Sequence, residues 1–536
     1  MLYLSMFKMS NIFSSYRSRS LLALLAGALI AAAFLAPELF PLTWAALVPL
    51  FYAIRREESC RRVFLLGWLA GIVAIVLGFY WLNYTIRVFG GFPLPVTLLV
   101  FSGFALYASL PVAIFAALVR RSGFGPLNLL PGTFWVALEF WFPYLFPWQL
   151  ASSQSNFLTL IQTADLVGPY GTSFLIVWVN ATIFTALSSS VDQRRILVRN
   201  VATLGLVFLL VLLYGIFALK SIDPRLENAP KLSLAAVQGS IDIQYKWNTA
   251  FMESNLKSYL DLTEQADGAR LIIWPESAVE DWIPETQEKL PPRLTPRMPP
   301  GASYLIFGAR SFRGNPLSPD VKAFNSAFLI DKDGRVLSTY HKQVLLAFGE
   351  YIPLSRYLSS LPGLAFVGQG FTPGAGPKTL DIDQSVKIAP LICYEDLMPS
   401  LTRDFVIQKG ANLLVNLTND AWFGNTVAPW QHARLALWRA IETRRTLVRV
   451  TNTGVTTIIN AKGERLDYLP LFSSGVLKAS VPLLEQQTLY VRFGDWFAWA
   501  STLLAVFVLS RRRFLSRLLK NPLGVLRQVS GRTEGI

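Results

Sequence analysis

Cysteine and histidine are nearly missing from this 536-residue chain, which has two of each, and charged residues amount to only 15%. Cys60 and Cys393 lie far apart in dissimilar surroundings, which excludes a disulfide framework. His341 and His432 have no cysteine near them, so a zinc site would have to be built largely from carboxylates, and neither a metal nor another cofactor is expected. The shortage of charge excludes an ordinary soluble protein. Hydrophobic residues make up 52% of the chain, and the mean hydropathy is +0.40, a composition found among membrane proteins. The length has room for several domains.

Apolar segments at 21–36, 42–54, 63–82, 93–119, 127–146, 172–188, 201–219 and 493–510 approach the ~20 residues that cross a bilayer, with 42–54 the shortest. Eight crossings are expected. The loops test that count. Starting inside, alternate loops hold Lys8, Arg17 and Arg19; Arg55, Arg56, Arg61 and Arg62; Arg120 and Arg121; Arg194, Arg195 and Arg199; then Arg511, Arg512 and Arg513. The opposite loops carry a single basic residue, Arg87. This is the positive-inside pattern, and it accounts for the net charge of +15 without nucleic acid. It divides the chain into a membrane domain at 1–220 with about seven helices, a block at 221–490 on the outer face, and a last helix with a basic cytoplasmic tail at 491–536. The uncharged outer loop at 147–171, broken only by Asp165, reads either as an interfacial loop with aromatic anchors or as the wall of a lipid-facing site.

Short apolar runs punctuate the outer block: KLSLAAVQG, ARLIIWPES, SYLIFGA, NSAFLIDKDG, VKIAPLICY, ANLLVNLTN, TLVRVTNTG and TTIINAKGE. Each reads as a strand ending in turn residues. Helical stretches at 249–266, 400–409 and 430–444 lie between them, which predicts an α/β fold beside a polytopic α-helical membrane domain. In α/β folds functional groups gather where strands end. Glu276 follows LIIW, Lys342 follows STY with Glu350 eight residues on, and Cys393 follows APLI and precedes Tyr394 and Glu395. On its own stretch Cys393 reads better as a core cysteine. Together the strand ends offer a thiol nucleophile, a carboxylate to take its proton and a cation to stabilise charge.

In that order, WPESA, HKQVLLAFGEYIP and LICYED resemble the Glu-Lys-Cys sites of the nitrilase, or carbon-nitrogen hydrolase, superfamily. The whole chain, with NDAWFG and PWQH, resembles the bacterial apolipoprotein N-acyltransferases. One departure is Ala347, where the pattern has proline. The resemblance implies an α-β-β-α sandwich in which Cys393 is the nucleophile, Glu276 the general base and Lys342 the stabiliser of the tetrahedral intermediate. It implies support from Glu350, Tyr394 and Glu395, and a tryptophan near the acyl site at Trp247. Trp422 and Phe423, in NDAWFG, are further substrate-binding candidates, in a stretch at 419–430 that could form a lid. The stretch 354–376 is expected to form an arm touching the bilayer.

The implied activity moves an acyl chain from a phospholipid, through a thioester on Cys393, to the α-amino group of the diacylglyceryl-modified N-terminal cysteine of an apolipoprotein. A membrane-tethered amidase with water as acceptor is the alternative. A transporter fits poorly, since the membrane segments hold almost no acidic residue besides Glu139. The expected location is the bacterial inner membrane with the catalytic domain in the periplasm. The expected partners are lipid, apolipoprotein and bilayer, with no nucleic acid, and the expected state is a monomer.

Overall fold

A computed structural model of the chain describes residues 15–318, 320–351 and 370–520. Six helical stretches among these are long and apolar enough to cross a membrane: Tyr16–Leu35, Pro37–Arg55, Cys60–Gly78, Leu94–Ser122, Pro169–Ser188 and Arg194–Asn228. The second is compound, an eight-residue 3-10 turn followed by the short helix Val48–Arg55. Its interrupted backbone is served by buried Asn180, which accepts from the Leu47 amide at 2.8 Å and donates to the Thr43 carbonyl at 2.8 Å. An unsatisfied amide in lipid costs several kcal/mol, so a polar side chain here stabilises the break.

The expected crossing at 127–146 is shorter than predicted. Its helix runs only over Leu129–Trp141, 13 residues, because Phe142 is extended at φ −75° and ψ 127° ahead of Pro143. The last helix, Trp496–Lys520, has a shorter apolar part, Trp496–Arg511. Helix Arg194–Asn228 continues to two residues before the first strand.

Among the described residues thirteen strands form two sheets. The first takes β1 (Lys231–Gln238), β2 (Leu271–Ile273), β3 (Val279–Pro284), β4 (Tyr304–Arg313), β5 (Lys322–Asp331), β6 (Val336–His341) and β13 (Gly475–Pro482), in the order β13-β1-β2-β4-β5-β6 with β3 also on β4. The second takes β7 (Leu380–Asp381), β8 (Lys387–Ile392), β9 (Leu413–Thr418), β10 (Thr446–Thr451), β11 (Thr457–Ile459) and β12 (Arg465–Tyr468), in the order β12-β11-β10-β9-β8-β7. All eight expected strands are present.

Alternation explains their near-continuous apolar runs. Leu234, Ala236, Leu271 and Ile273 join the large core shared with the second sheet, while Ala235, Val237 and Ile272 pack with Leu256 and Tyr259 of helix Met252–Thr263. A sheet buried on both faces needs apolar residues at both parities. Helices Pro399–Lys409 and Ala428–Thr443 contribute Phe405, Leu437 and Ile441 to the core of the second sheet. The chain is thus a helical apolar region joined to an α/β domain of two sheets.

Candidate active site

Cys393 opens a 3-10 turn, Cys393–Leu397, directly after β8. Its φ of +55° lies in the left-handed region, which costs a non-glycine residue about 1–3 kcal/mol. Ser277, after Glu276, and Phe348, before Glu350, are also left-handed at +53° and +66°. Such strain persists only where surrounding contacts impose it. At Cys393 they are visible: Asn416 of β9 donates to the Cys393 carbonyl at 2.8 Å. Glu395, fully buried, accepts from the amides of Ile392, Gln343 and Val344 at 2.8, 2.7 and 3.0 Å and from the Tyr340 hydroxyl. Glu395 therefore ties the cysteine turn to the segment carrying Lys342.

Lys342 is 1% exposed. Its Nζ lies 2.8 Å from Glu350 Oε2 and 3.9 Å from Glu276 Oε1. Asn325 of β5 bridges the two carboxylates, donating to Glu276 at 2.8 Å and to Glu350 at 2.9 Å, and the Asn419 amide donates to Glu276 Oε2 at 3.0 Å. The Tyr394 hydroxyl donates to the Leu345 carbonyl at 2.9 Å, with the Lys342 ammonium 5.6 Å from the ring centre.

Burial pushes the Cys393 thiol well above its ordinary value, and the Glu276 charge adds to this more than Lys342 relieves it. Burial likewise raises Glu276, against the pull of Lys342. For Lys342 burial works the other way but is outweighed by Cys393, Glu350 and Glu276, so the ammonium is held strongly. The sequence offered a carboxylate to take the thiol proton and a cation to stabilise charge. The buried site favours a protonated thiol near that carboxylate.

An apolar cavity reaches Cys393 and Tyr394 from the membrane helices, with Ile30, Ile75, Trp81 and Phe423 on its walls. Trp148 and Ser152 place the 147–171 loop in that wall, and the loop also docks on the α/β domain through the Asp165–Arg444 ion pair at 2.6 Å.

Residues 26–182 match the apolipoprotein N-acyltransferase N-terminal domain and residues 233–489 the carbon-nitrogen hydrolase domain. An apolipoprotein N-acyltransferase of Geobacter metallireducens is 35% identical over 90% of this chain and 92% of its own. The chain belongs to the apolipoprotein N-acyltransferase family. The family's enzyme from Azotobacter vinelandii is 32% identical over 92% of this chain and 95% of its own. Among solved structures, a nitrilase-superfamily amidase of Nesterenkonia is 19% identical with a TM-score of 0.34, covering 54% of this chain and 98% of that one.

In this member of the apolipoprotein N-acyltransferase family, the structure brings together Glu276, Lys342, Glu350, Cys393, Tyr394 and Glu395. Phe423 lines the cavity, its ring 4.9 Å from that of Trp81, while the Trp422 ring lies tilted against Phe89 at 4.2 Å and its carbonyl accepts from the Thr85 hydroxyl. These contacts, with buried Asp420, tether the stretch expected as a lid. Most of the expected arm, 354–369, lies outside the described residues. Trp247 is not among the residues lining the cavity. Its ring lies between Arg310 at 4.4 Å and Lys246 at 5.5 Å, and buried Lys246 donates to the Ser277 carbonyl. Burial lowers the Lys246 pKa to about 8.

Sequence reasoning missed a second charged cluster beneath the cysteine turn. His432 bonds Asp396 at 2.8 Å and Asp420 at 2.9 Å, and Arg449 bonds both aspartates at 3.3 and 3.1 Å. It joins the turn of Cys393 to the loop of Asn419, whose amide holds Glu276. The one available signal was Arg449 itself, a charge inside the apolar run TLVRVT.

Proposed function

We propose that this chain transfers an acyl group from a membrane phospholipid to the α-amino group of a diacylglyceryl-modified N-terminal cysteine, through a thioester on Cys393. The apolar cavity that opens among the membrane helices and ends at a strained, reachable cysteine carries this reading. A small-amide hydrolase has no use for such a cavity.

In the first half-reaction the Cys393 sulfur bonds to the ester carbonyl carbon and its proton passes to Glu276. The oxyanion faces Lys342, where a buried charged donor lowers the barrier by about 3–4 kcal/mol. The carbon–oxygen bond then breaks, and Glu276 returns the proton to the departing lysophospholipid oxygen. In the second half-reaction the acceptor amine attacks the thioester carbonyl, Glu276 takes the amine proton, the carbon–sulfur bond breaks and the proton returns to sulfur. Glu350 holds Lys342, while Tyr394 and Glu395 shape the turn.

The positive-inside pattern supports a catalytic domain at 221–490 in the periplasm, between membrane segments at 1–220 and 491–536 of an inner-membrane protein. Phe423, which lines the cavity, is assigned to substrate contact, whereas Trp247 and Trp422 do not line it. Mass spectrometry of the purified chain incubated with phospholipid tests the scheme. The Cys393 peptide gains the mass of one acyl chain, loses it on addition of a diacylglyceryl peptide, and gains nothing in Cys393→Ala. Rapid discharge to water without the peptide would favour the amidase.

A further inference from the structure

Glu276, the proposed base, sits on a turn that its neighbour resists. Ser277 takes φ +53°, a left-handed conformation that crowds any residue with a side chain. One end of the turn is held by the backbone beneath it. The Gly308 amide of β4 donates to the Pro275 carbonyl at 3.1 Å, and the approach is so close that a Cβ on Gly308 would come within 2.6 Å of the Glu276 Cα. The other end is held by a side chain. Lys246, 3% exposed, donates from Nζ to the Ser277 carbonyl at 2.8 Å, its one hydrogen bond among the described residues.

A lysine buried for stability alone would be expected in a tight ion pair. Lys246 is not in one. Its nearest carboxylate, Glu280 of β3, lies at 3.9 Å, and the two Glu280 oxygens accept instead from the Trp247 amide and from Asn255 Nδ2, each at 2.9 Å. The hydrogen bond of the ammonium goes to the residue after the base.

The charges facing Lys246 are Glu280, Glu276 and Arg310. Burial lowers its pKa to about 8 against the pull of both glutamates, with Arg310 adding to the fall, so the ammonium persists at neutral pH. Attraction between Lys246 and Glu276 is mutual. It adds to that of Lys342 in favouring an ionised Glu276, against burial and the Glu350 charge.

We propose that Lys246 is a positioning residue for the reaction, clamping the left-handed Ser277 turn by its carbonyl and so holding the Glu276 carboxylate where Asn325, Asn419 and Lys342 meet it. It touches neither thiol nor substrate. The role rests on the acyl-transfer reading in one respect, that Glu276 takes the Cys393 proton, and that step can be followed without a lipid.

With iodoacetamide, a sulfur–carbon bond forms at Cys393, iodide leaves and the thiol proton passes to Glu276. The rate on the Cys393 peptide, followed by mass spectrometry across the acid limb in full-length protein in nonionic detergent, tests the clamp. Lys246→Met should lower the limiting rate about tenfold by displacing the carboxylate, and should move the limb to higher pH because Glu276 loses a nearby positive charge. Glycine adopts a positive φ without crowding, so in a Ser277→Gly background the same substitution should cost no more than about twofold in limiting rate, while the limb still moves. A lysine that only stabilised the fold would lower the melting temperature and leave the limb in place. If Lys246→Met does not fold, Lys246→Gln, which removes the charge but retains an N–H donor, takes its place and should move the limb with a smaller loss of rate. A limb and limiting rate equal to the parent's overturn the proposal, as does an equal loss of rate with and without Ser277→Gly. Failure of phospholipid to acylate Cys393 in the parent would remove the acyl-transfer reading and leave the alkylation result standing.

Discussion

Two buried charge clusters lie against the same cysteine turn, and they differ in one respect. Around Cys393, Glu276 and Glu350 share the single cation Lys342, leaving one negative charge in excess while the thiol is protonated. Beneath it, Asp396 and Asp420 face both Arg449 and His432. Burial and Arg449 oppose a charged His432, but the two aspartates prevail and raise its pKa, so a protonated His432 together with Arg449 would match both aspartates. Burial would raise Asp420, yet Arg449 and His432 hold it below the usual carboxylate range. The unbalanced cluster is short of a proton, as its raised Glu276 and thiol record. The other, once His432 is protonated, is balanced and has no proton to gain. In a buried setting the excess charge marks the site that can do proton chemistry.

Removing a cation from each cluster should therefore have opposite consequences. Arg449→Met leaves two buried aspartates with only His432, and breaking a buried pair costs about 3–5 kcal/mol. A large fall in denaturation midpoint is expected, with a much smaller loss of Cys393 acylation per folded molecule. Equal loss of both would erase the distinction between the clusters.

Lys342→Met acts on the reaction. Acylation of Cys393, followed by mass spectrometry in a single turnover, should slow by about 10²–10³-fold. The pH profile supplies the sharper reading. Glu276 must be ionised to take the thiol proton, so the rate falls on the acid side through a Glu276 pKa above the ordinary carboxylate value. Since Lys342 is the main influence holding that pKa down against burial, its removal should move the acid limb to still higher pH. An unmoved limb would assign the titration to another group.

How far the sequence reaches follows from the same physics. The strands were legible because burial on both faces writes uninterrupted apolar runs, and Glu276, Lys342 and Cys393 were legible because polar groups end those runs abruptly. The balanced cluster was not. Asp396, Asp420, His432 and Arg449 come from a turn, a loop, a helix and a strand, and Arg449 in TLVRVT reads as a solvent-facing residue until its partners arrive from elsewhere in the chain. Asn325, Asn416 and Asn419 escaped notice likewise, since a bridging amide has no spacing of its own. Hydropathy misread 127–146 because Phe142, Tyr144, Leu145 and Phe146 are apolar enough to extend the segment, whereas Pro143 ends the helix.

Glu395 stands between the clusters and gives the mildest test. Burial pushes its pKa up to about 7, against the pull of the Ile392 amide and of Lys342. An unfolded glutamate ionises near 4.5, so this group's contribution to stability is fully present below about 4.5 and is lost as pH rises to about 7. Glu395→Gln removes the titration. The parent's decline in stability between these values should flatten by at most about 1.4 kcal/mol per pH unit, while the amide leaves at least one of three backbone donors unmatched at a cost of about 1–3 kcal/mol. Denaturation midpoints from pH 4.5 to 8 check both effects. An unchanged slope would mean that the excess negative charge around Cys393 is felt by Glu276 alone, and that Glu395 belongs with the balanced cluster.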